Sequence, residues 1–218
     1  MDIEEFRRTA HDIVDWMADY LRDIESYPVR AQVVPGEVLG RLPEAPPLLG
    51  TPPAVILDDF KQVILPGMTH WQHPSFFAYF PANSSPPSVL AEMITATLGA
   101  QCMSWETSPA AAELEERMMG WLRTMIGLPE DFQGVIQDSA STATLCAILS
   151  ARERATHWRV NEHGLSREGE DMVVYGSTEC HSSIEKAVKI LGLGRHNFRK
   201  VSVDKNFGMD PKALMEVV

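Results

Sequence analysis

Two stretches of this chain carry residue types that can do chemistry together. In Gly134-Val135-Ile136-Gln137-Asp138-Ser139-Ala140-Ser141-Thr142-Ala143-Thr144-Leu145, a short apolar segment runs into small hydroxyl residues that open a helix. Further along, Ser177-Thr178-Glu179-Cys180-His181-Ser182-Ser183 makes a second strand-to-helix junction, this one with an imidazole. A helix start rich in Ser and Ala presents unpaired backbone N–H groups, hydroxyl donors and the positive end of the macrodipole, which together make an anion seat. An imidazole at the neighbouring strand end can lie flat over a ring whose phosphate sits in that seat. The combination points to an aromatic phosphorylated cofactor. Alone, the first junction reads more often as ordinary helix capping than as a phosphate site, and His181 more often as a surface or capping residue. Their force is joint, because strand ends of a parallel sheet open toward one ligand-binding edge.

The elements that must position these residues follow from periodicity. Ile3, Phe6, Ala10, Ile13, Met17, Tyr20 and Ile24 recur at alternating three- and four-residue steps, the seam of a helix packing on another helix, and Pro28 ends it. The tract from Val34 to Pro53 is Pro-rich with little to pack against, so the seam is read as an arm buried on a partner subunit. A short helix is predicted from Leu57 to Pro66. The stretch from His70 to Pro81 is dense in aromatics, and Pro74 and Pro81 make it an extended loop region. Such aromatics pack a core or wall a pocket for a flat ligand. His70 and His73 have no third ligand at a recognisable spacing, so no metal site is expected.

Helices are predicted from Val89 to Leu98 and after Ser108-Pro109, the latter ending at Gly127 and Pro129. The pattern then alternates. Strands are expected at Val135–Gln137, Asp171–Tyr175 and Phe198–Val203. Helices are expected from Ser141 to about Arg159, from Ser182 to Leu191 with a Ser182/Glu185 capping box, and from Pro211. His163-Gly164 is placed in a polar connecting loop. Alternation of this kind indicates an α/β domain with a mostly parallel sheet. Three strands do not make a well-covered sheet, so the chain reads as truncated or as completed by another chain. The expected division is a helical arm with its aromatic loop over 1–84, then the first part of a large α/β domain over 85–218.

Composition narrows the partners. With 44% hydrophobic and 22% charged residues the chain is globular, and its formal net charge of −11 argues against a nucleic acid or an anionic membrane as partner. Three scattered cysteines, Cys102, Cys146 and Cys180, fit neither a disulfide framework nor a zinc ribbon. The start lacks a basic, apolar leader, and no apolar run is long enough to span a bilayer. The expectation is a cytoplasmic protein.

Five ordered motifs carry a resemblance: Thr69-His70-Trp71; Pro74-Ser75-Phe76-Phe77-Ala78-Tyr79-Phe80-Pro81; Ser104-Trp105 with Ser108-Pro109; Val135-Ile136-Gln137 with Ser139-Ala140-Ser141; and His181-Ser182-Ser183. In these the chain resembles the N-terminal part of the group II pyridoxal-phosphate-dependent decarboxylases, most of all the aromatic L-amino acid decarboxylases. The resemblance implies the aspartate-aminotransferase-type fold (fold type I), a homodimer, and pyridoxal 5'-phosphate as cofactor. It also implies that Ser139, Ala140 and Ser141 hold the cofactor phosphate and that His181 stacks on the pyridine ring as the catalytic imidazole. Trp71, Tyr79, Phe80, Pro81 and Ala82 look like part of the substrate pocket, and Gln101 and Met103 fall where the family reaches into the neighbouring subunit's site. Three positions depart from the pattern. Ala82 stands where animal members carry a threonine, Gln101 and Met103 replace a branched aliphatic and an aromatic residue, and Asp138 replaces a glycine before the phosphate loop. An inward Asp138 would repel phosphate, so it is expected to point away.

The family's cofactor-bearing lysine, and the aspartate that pairs with the pyridine nitrogen, fall further along than residue 218. Lys186 and Lys189 match neither motif and read as a solvated helix face. The implied activity of the complete enzyme is decarboxylation of an L-amino acid, aromatic by resemblance, to the amine and carbon dioxide. An aromatic aldehyde synthase and a lysine-less, non-catalytic dimerisation fragment are the alternatives.

Overall fold

A computed structural model describes residues 1–80, 84–165 and 172–218. The chain forms two compact units, Met1–Ala100 and Gln101–Val218. Pro81, Ala82 and Asp171, which bear on the pocket and the second strand, lie outside the described residues.

In the first unit, helix α1 spans Ile3–Arg22. The Asp2 carboxylate accepts the Glu5 N–H at 2.7 Å, Glu4 and Glu5 complement the dipole in the first turn, and Arg22 does so in the last. A 3-10 turn at Ile24–Ser26 follows before Pro28. The seam is used unevenly. Trp16 packs edge-on against Phe60, with ring centroids 5.2 Å apart, and Tyr20 lies against Tyr27 and His70. Ile3, Phe6 and Ile13 of the same seam stay exposed.

His70 is 2% exposed. Its Nδ1 shares a 2.8 Å hydrogen bond with the Tyr20 hydroxyl, and its backbone N–H donates to Val29. The imidazole is therefore a core residue tying α1 to the aromatic stretch. Burial, reinforced by His73, pushes its pKa below the usual 6.5. As pH falls through about 6.5 the unfolded chain takes up a proton that the folded one resists. Stability present above that pH should fall below it. Thermal melts between neutral and acid pH should show this slope, and His70→Gln should flatten it.

The Pro-rich tract is more ordered than expected. Gly36, at φ +92°, turns the chain, and Glu37 accepts the Val34 N–H at 3.2 Å. Helix α2, Glu37–Arg41, follows, and its Arg41 guanidinium donates to the Gln62 carbonyl at 2.6 Å. Helix α3, Pro53–Asp59, begins earlier than the predicted Leu57 because Pro53 suits the first helical turn. It continues through a π turn to Ile64 and a 3-10 turn to Gly67. Helix α4, Pro86–Leu98, is closed by a Ser85/Ser88 capping box and by Gly99 at φ +58°.

The second unit begins with α5, Pro109–Met125. Helix α6 spans Ala140–Ala155 and α7 spans Arg159–His163, so His163 ends a helix rather than lying in the connecting loop. Strand β1 (Val174–Ser177) pairs in parallel with β2 (Phe198–Val201), Val174 opposite Phe198 and Ser177 opposite Val201. Helix α8, Ser182–Ile190, makes the crossover between them, and α9, Pro211–Val217, follows. The parallel unit expected from the alternation is thus present. Val188, Leu191, Leu193 and Phe198 form its core, with Leu145, Ile148 and Leu149 of α6 packed against them.

One expected strand is not formed. Val135–Gln137 has no regular secondary structure and no ladder pairs it among the described residues; the Ile136 N–H donates instead to the Glu115 carboxylate at 2.6 Å. A strand exists only through its neighbour, and an apolar run does not supply one.

Candidate functional site

The first junction opens α6. Ser139 is its N-cap, with extended backbone, and its hydroxyl accepts the Thr142 N–H at 3.2 Å. Helix geometry leaves the N–H groups of Ala140 and Ser141 without intrahelical acceptors. Ser139, Ala140 and Ser141 are exposed, and the Ser141 hydroxyl makes no hydrogen bond among the described residues. Asp138 is exposed too. Small side chains, two available N–H groups and a hydroxyl at the positive end of a 16-residue helix fit a phosphate.

At the second junction the structure departs from the expected Ser182/Glu185 box. His181 itself is the N-cap: the Ser183 N–H donates to its Nδ1 at 3.2 Å, and the Ser183 hydroxyl lies 3.0 Å from the same nitrogen. An accepting Nδ1 leaves the proton on Nε2. Glu185 is drawn away by three cations, Lys189, Arg195 and Lys200, at 3.3–3.7 Å. Its carboxyl is held below the usual range, first by the Lys200 hydrogen bond. Lys186 and Lys189 are exposed on the helix surface, as expected.

Helices α6 and α8 pack together through the core, and Arg152, in the last turn of α6, donates to the Leu191 carbonyl just past the end of α8 at 2.9 Å. Their C-terminal ends are therefore neighbours; Ser139–Ser141 and His181 stand at the opposite, N-terminal ends of the same two helices. Sequence reasoning passed over Arg152 and the adjacent Glu153. Their signal was a pair of opposite charges next to the apolar Ala147-Ile148-Leu149 face of the helix.

The proposed substrate residues divide between the units. In the first, Trp71 and Tyr79 stack with centroids 5.7 Å apart and planes 16° from parallel, and Phe76 flanks Trp71. Tyr79 holds φ +59°, a left-handed conformation rarely adopted by large side chains. Phe80 is fully exposed. In the second unit, Gln101 is exposed and Met103 lines a cleft of about 1000 Å³ beside α5, with Trp105, Glu113, Glu116 and Trp121. Neither Ser139–Ser141 nor His181 lines that cleft. Among the described residues no cluster of His, Cys, Asp or Glu could hold a metal, and no helix is long and apolar enough to cross a membrane.

A parallel strand–helix–strand unit of this kind fits fold type I pyridoxal-phosphate enzymes. The family described as pyridoxal-dependent decarboxylase conserved domain matches residues 35–218, and the chain belongs to that family. It is 41% identical to tyrosine/DOPA decarboxylase 2 of Papaver somniferum and 42% identical to phenylacetaldehyde synthase of Petunia hybrida, in each case over its whole length. The crystal structure of Catharanthus roseus tryptophan decarboxylase in complex with L-tryptophan superposes over the whole chain with a TM-score of 0.90 at 38% identity. The chain covers 46% of that structure, and 42% and 44% of the two relatives, so it spans less than half their length.

Proposed function

We propose that in the complete protein this chain supplies one wall of a pyridoxal 5'-phosphate site and that the protein decarboxylates an aromatic L-amino acid to its amine and carbon dioxide. The observation that carries this reading is an open Ser139–Ser141 seat and the His181 imidazole, each at the start of one of two helices that share a core, in a chain of this family. Ser141 and the N–H groups of Ala140 and Ser141 bind the phosphate. His181, with its Nδ1 anchored to Ser183, presents its ring as the stacking face that fixes the cofactor plane. When bound, the cofactor supplies an electron sink that stabilises negative charge at Cα. The protein's part is orientation, keeping the scissile Cα–carboxylate bond perpendicular to the ring.

The Trp71–Tyr79 stack, with Phe80, Pro81 and Ala82, forms the aromatic side of the substrate pocket, and Gln101 and Met103 reach the partner's site in a homodimer. The exposed Ile3, Phe6 and Ile13 seam is the arm's dimer contact. Each large apolar side chain buried there is worth roughly 1.5–3 kcal/mol. Phe6→Glu with Ile13→Lys should therefore turn the dimer into monomer in light scattering while far-UV circular dichroism stays unchanged. A wild-type protein that is monomeric at micromolar concentration would remove the arm reading and the cross-subunit roles.

Product analysis tests the reaction. Aromatic amino acid converted to amine and carbon dioxide supports the reading. Aldehyde as the product assigns the chain instead to the aldehyde-forming branch, which the 42% identity to the Petunia synthase favours as the second reading. Failure of the complete protein to take up the cofactor covalently, read by absorbance, would indicate a non-catalytic module.

A further inference from the structure

Near the far end of α6 from the anion seat lies a buried ion pair that the proposed chemistry does not use. The side chains of Arg152 and Glu153 are 14% and 6% exposed. Neighbours in sequence, they extend to different parts of the fold. The guanidinium donates through Nε and Nη2 to Glu153 Oε1, at 3.0 and 2.6 Å, and through Nη1 to the Leu191 carbonyl, at 2.9 Å. The other oxygen of Glu153 accepts the Asn161 N–H of α7 at 3.1 Å. One planar fork thus grips the end of α8 while its counter-ion grips α7.

A buried pair costs desolvation, and apolar residues of like volume often serve stability as well or better. Stability alone is therefore a poor reason for this arrangement. Its geometry does something packing cannot. The contact between α6 and α8 is apolar, made by Leu145, Ile148 and Leu149 against the core around Val188, and such contacts are non-directional. A directional bond from α6 to the carbonyl that ends α8 pins how far one helix slides along the other. Both helices are rigid rods, so fixing their C-terminal ends fixes the offset between their N-terminal ends. Those ends carry Ser139–Ser141 and His181.

We infer that Arg152, held by Glu153, is a positioning residue that sets the axial register of α6 against α8 and with it the spacing between the phosphate seat and the stacking imidazole. The inference rests on the proposed cofactor site. Arginine suits the task because its fork engages carboxylate and carbonyl at once, whereas lysine offers a single ammonium.

The test uses the complete protein and three variants, with pyridoxal 5'-phosphate affinity read by fluorescence quenching and cofactor geometry by visible circular dichroism. Arg152→Met with Glu153→Leu removes both charges and keeps the volume, so the fold is retained and no charge is stranded. It should bind the cofactor roughly tenfold more weakly, the scale on which outer partners tune a bound group, and should alter the visible band. Arg152→Lys, which restores the bond to Leu191 without the fork, should recover part of both signals. Wild-type affinity and an unchanged band in the double variant, whatever its melting temperature, would overturn the inference. Ser141→Asp serves as the control: if it weakens cofactor binding strongly while the double variant binds normally, only the positioning role fails. If Ser141→Asp itself binds normally, the site reading fails with it.

Discussion

Replacing Ser141 by aspartate in the complete protein should weaken binding of pyridoxal 5'-phosphate roughly thirtyfold. The position is the second residue of α6, exposed, with a hydroxyl that bonds nothing among the described residues. A carboxylate there would face the phosphate across about 4 Å, where two unit charges repel by about 4 kcal/mol at an effective dielectric of 20. Solvent screening at so open a position reduces this to about 2 kcal/mol, still a roughly thirtyfold loss of affinity. The helix itself should be unharmed, since an acidic residue in the first turn favours helix formation. Equilibrium titration with the cofactor, beside far-UV circular dichroism, separates the effects. Wild-type affinity in a folded Ser141→Asp protein would remove the seat.

The second large effect is expected at His181, where capping and stacking can be separated. Losing a side-chain N-cap costs about 1 kcal/mol of stability. Losing the face that holds the cofactor plane costs orientation, and small misplacements of reacting groups reduce turnover about a hundredfold. His181→Ala should therefore lower kcat far more than the cap alone explains. His181→Asn sharpens the distinction, because its side-chain oxygen can accept the Ser183 N–H that Nδ1 now accepts but offers no ring. It should melt near wild type yet turn over as poorly as His181→Ala. An asparagine variant with wild-type kcat would make the imidazole a cap and nothing more.

What was legible in the sequence, and what was not, divides along the range of the forces. Helix starts are local: the Ser139 hydroxyl takes an N–H group within a turn and Pro109 presets the backbone, and their helices begin beside them, whereas Pro53 was passed over and α3 starts there rather than at Leu57. The parallel pairing of β1 with β2 was also readable, because the crossover α8 lies between them in sequence. Val135–Gln137 has a strand's residues, but a strand's identity depends on a neighbour far along the chain. The helix α2 was hidden by the prolines on either side of it, since what orders it is Arg41 reaching Gln62. His181 was recognised for its ring. Its cap was missed because a Ser-Ser-Ile-Glu pattern resembles a capping box, while the competing pull of Lys189, Arg195 and Lys200 on Glu185 is set by the fold. The reach of Arg152 to Leu191 was equally beyond local reading.

The central claim, that Ser139–Ser141 and His181 form two sides of one cofactor site, is tested most directly by a crystal structure of the complete protein with pyridoxal 5'-phosphate. The account predicts phosphate oxygens within about 3 Å of the Ala140 and Ser141 N–H groups and of the Ser141 hydroxyl, with the His181 ring parallel to the pyridine. A phosphate bound elsewhere, or a His181 ring turned away from the cofactor, would contradict it.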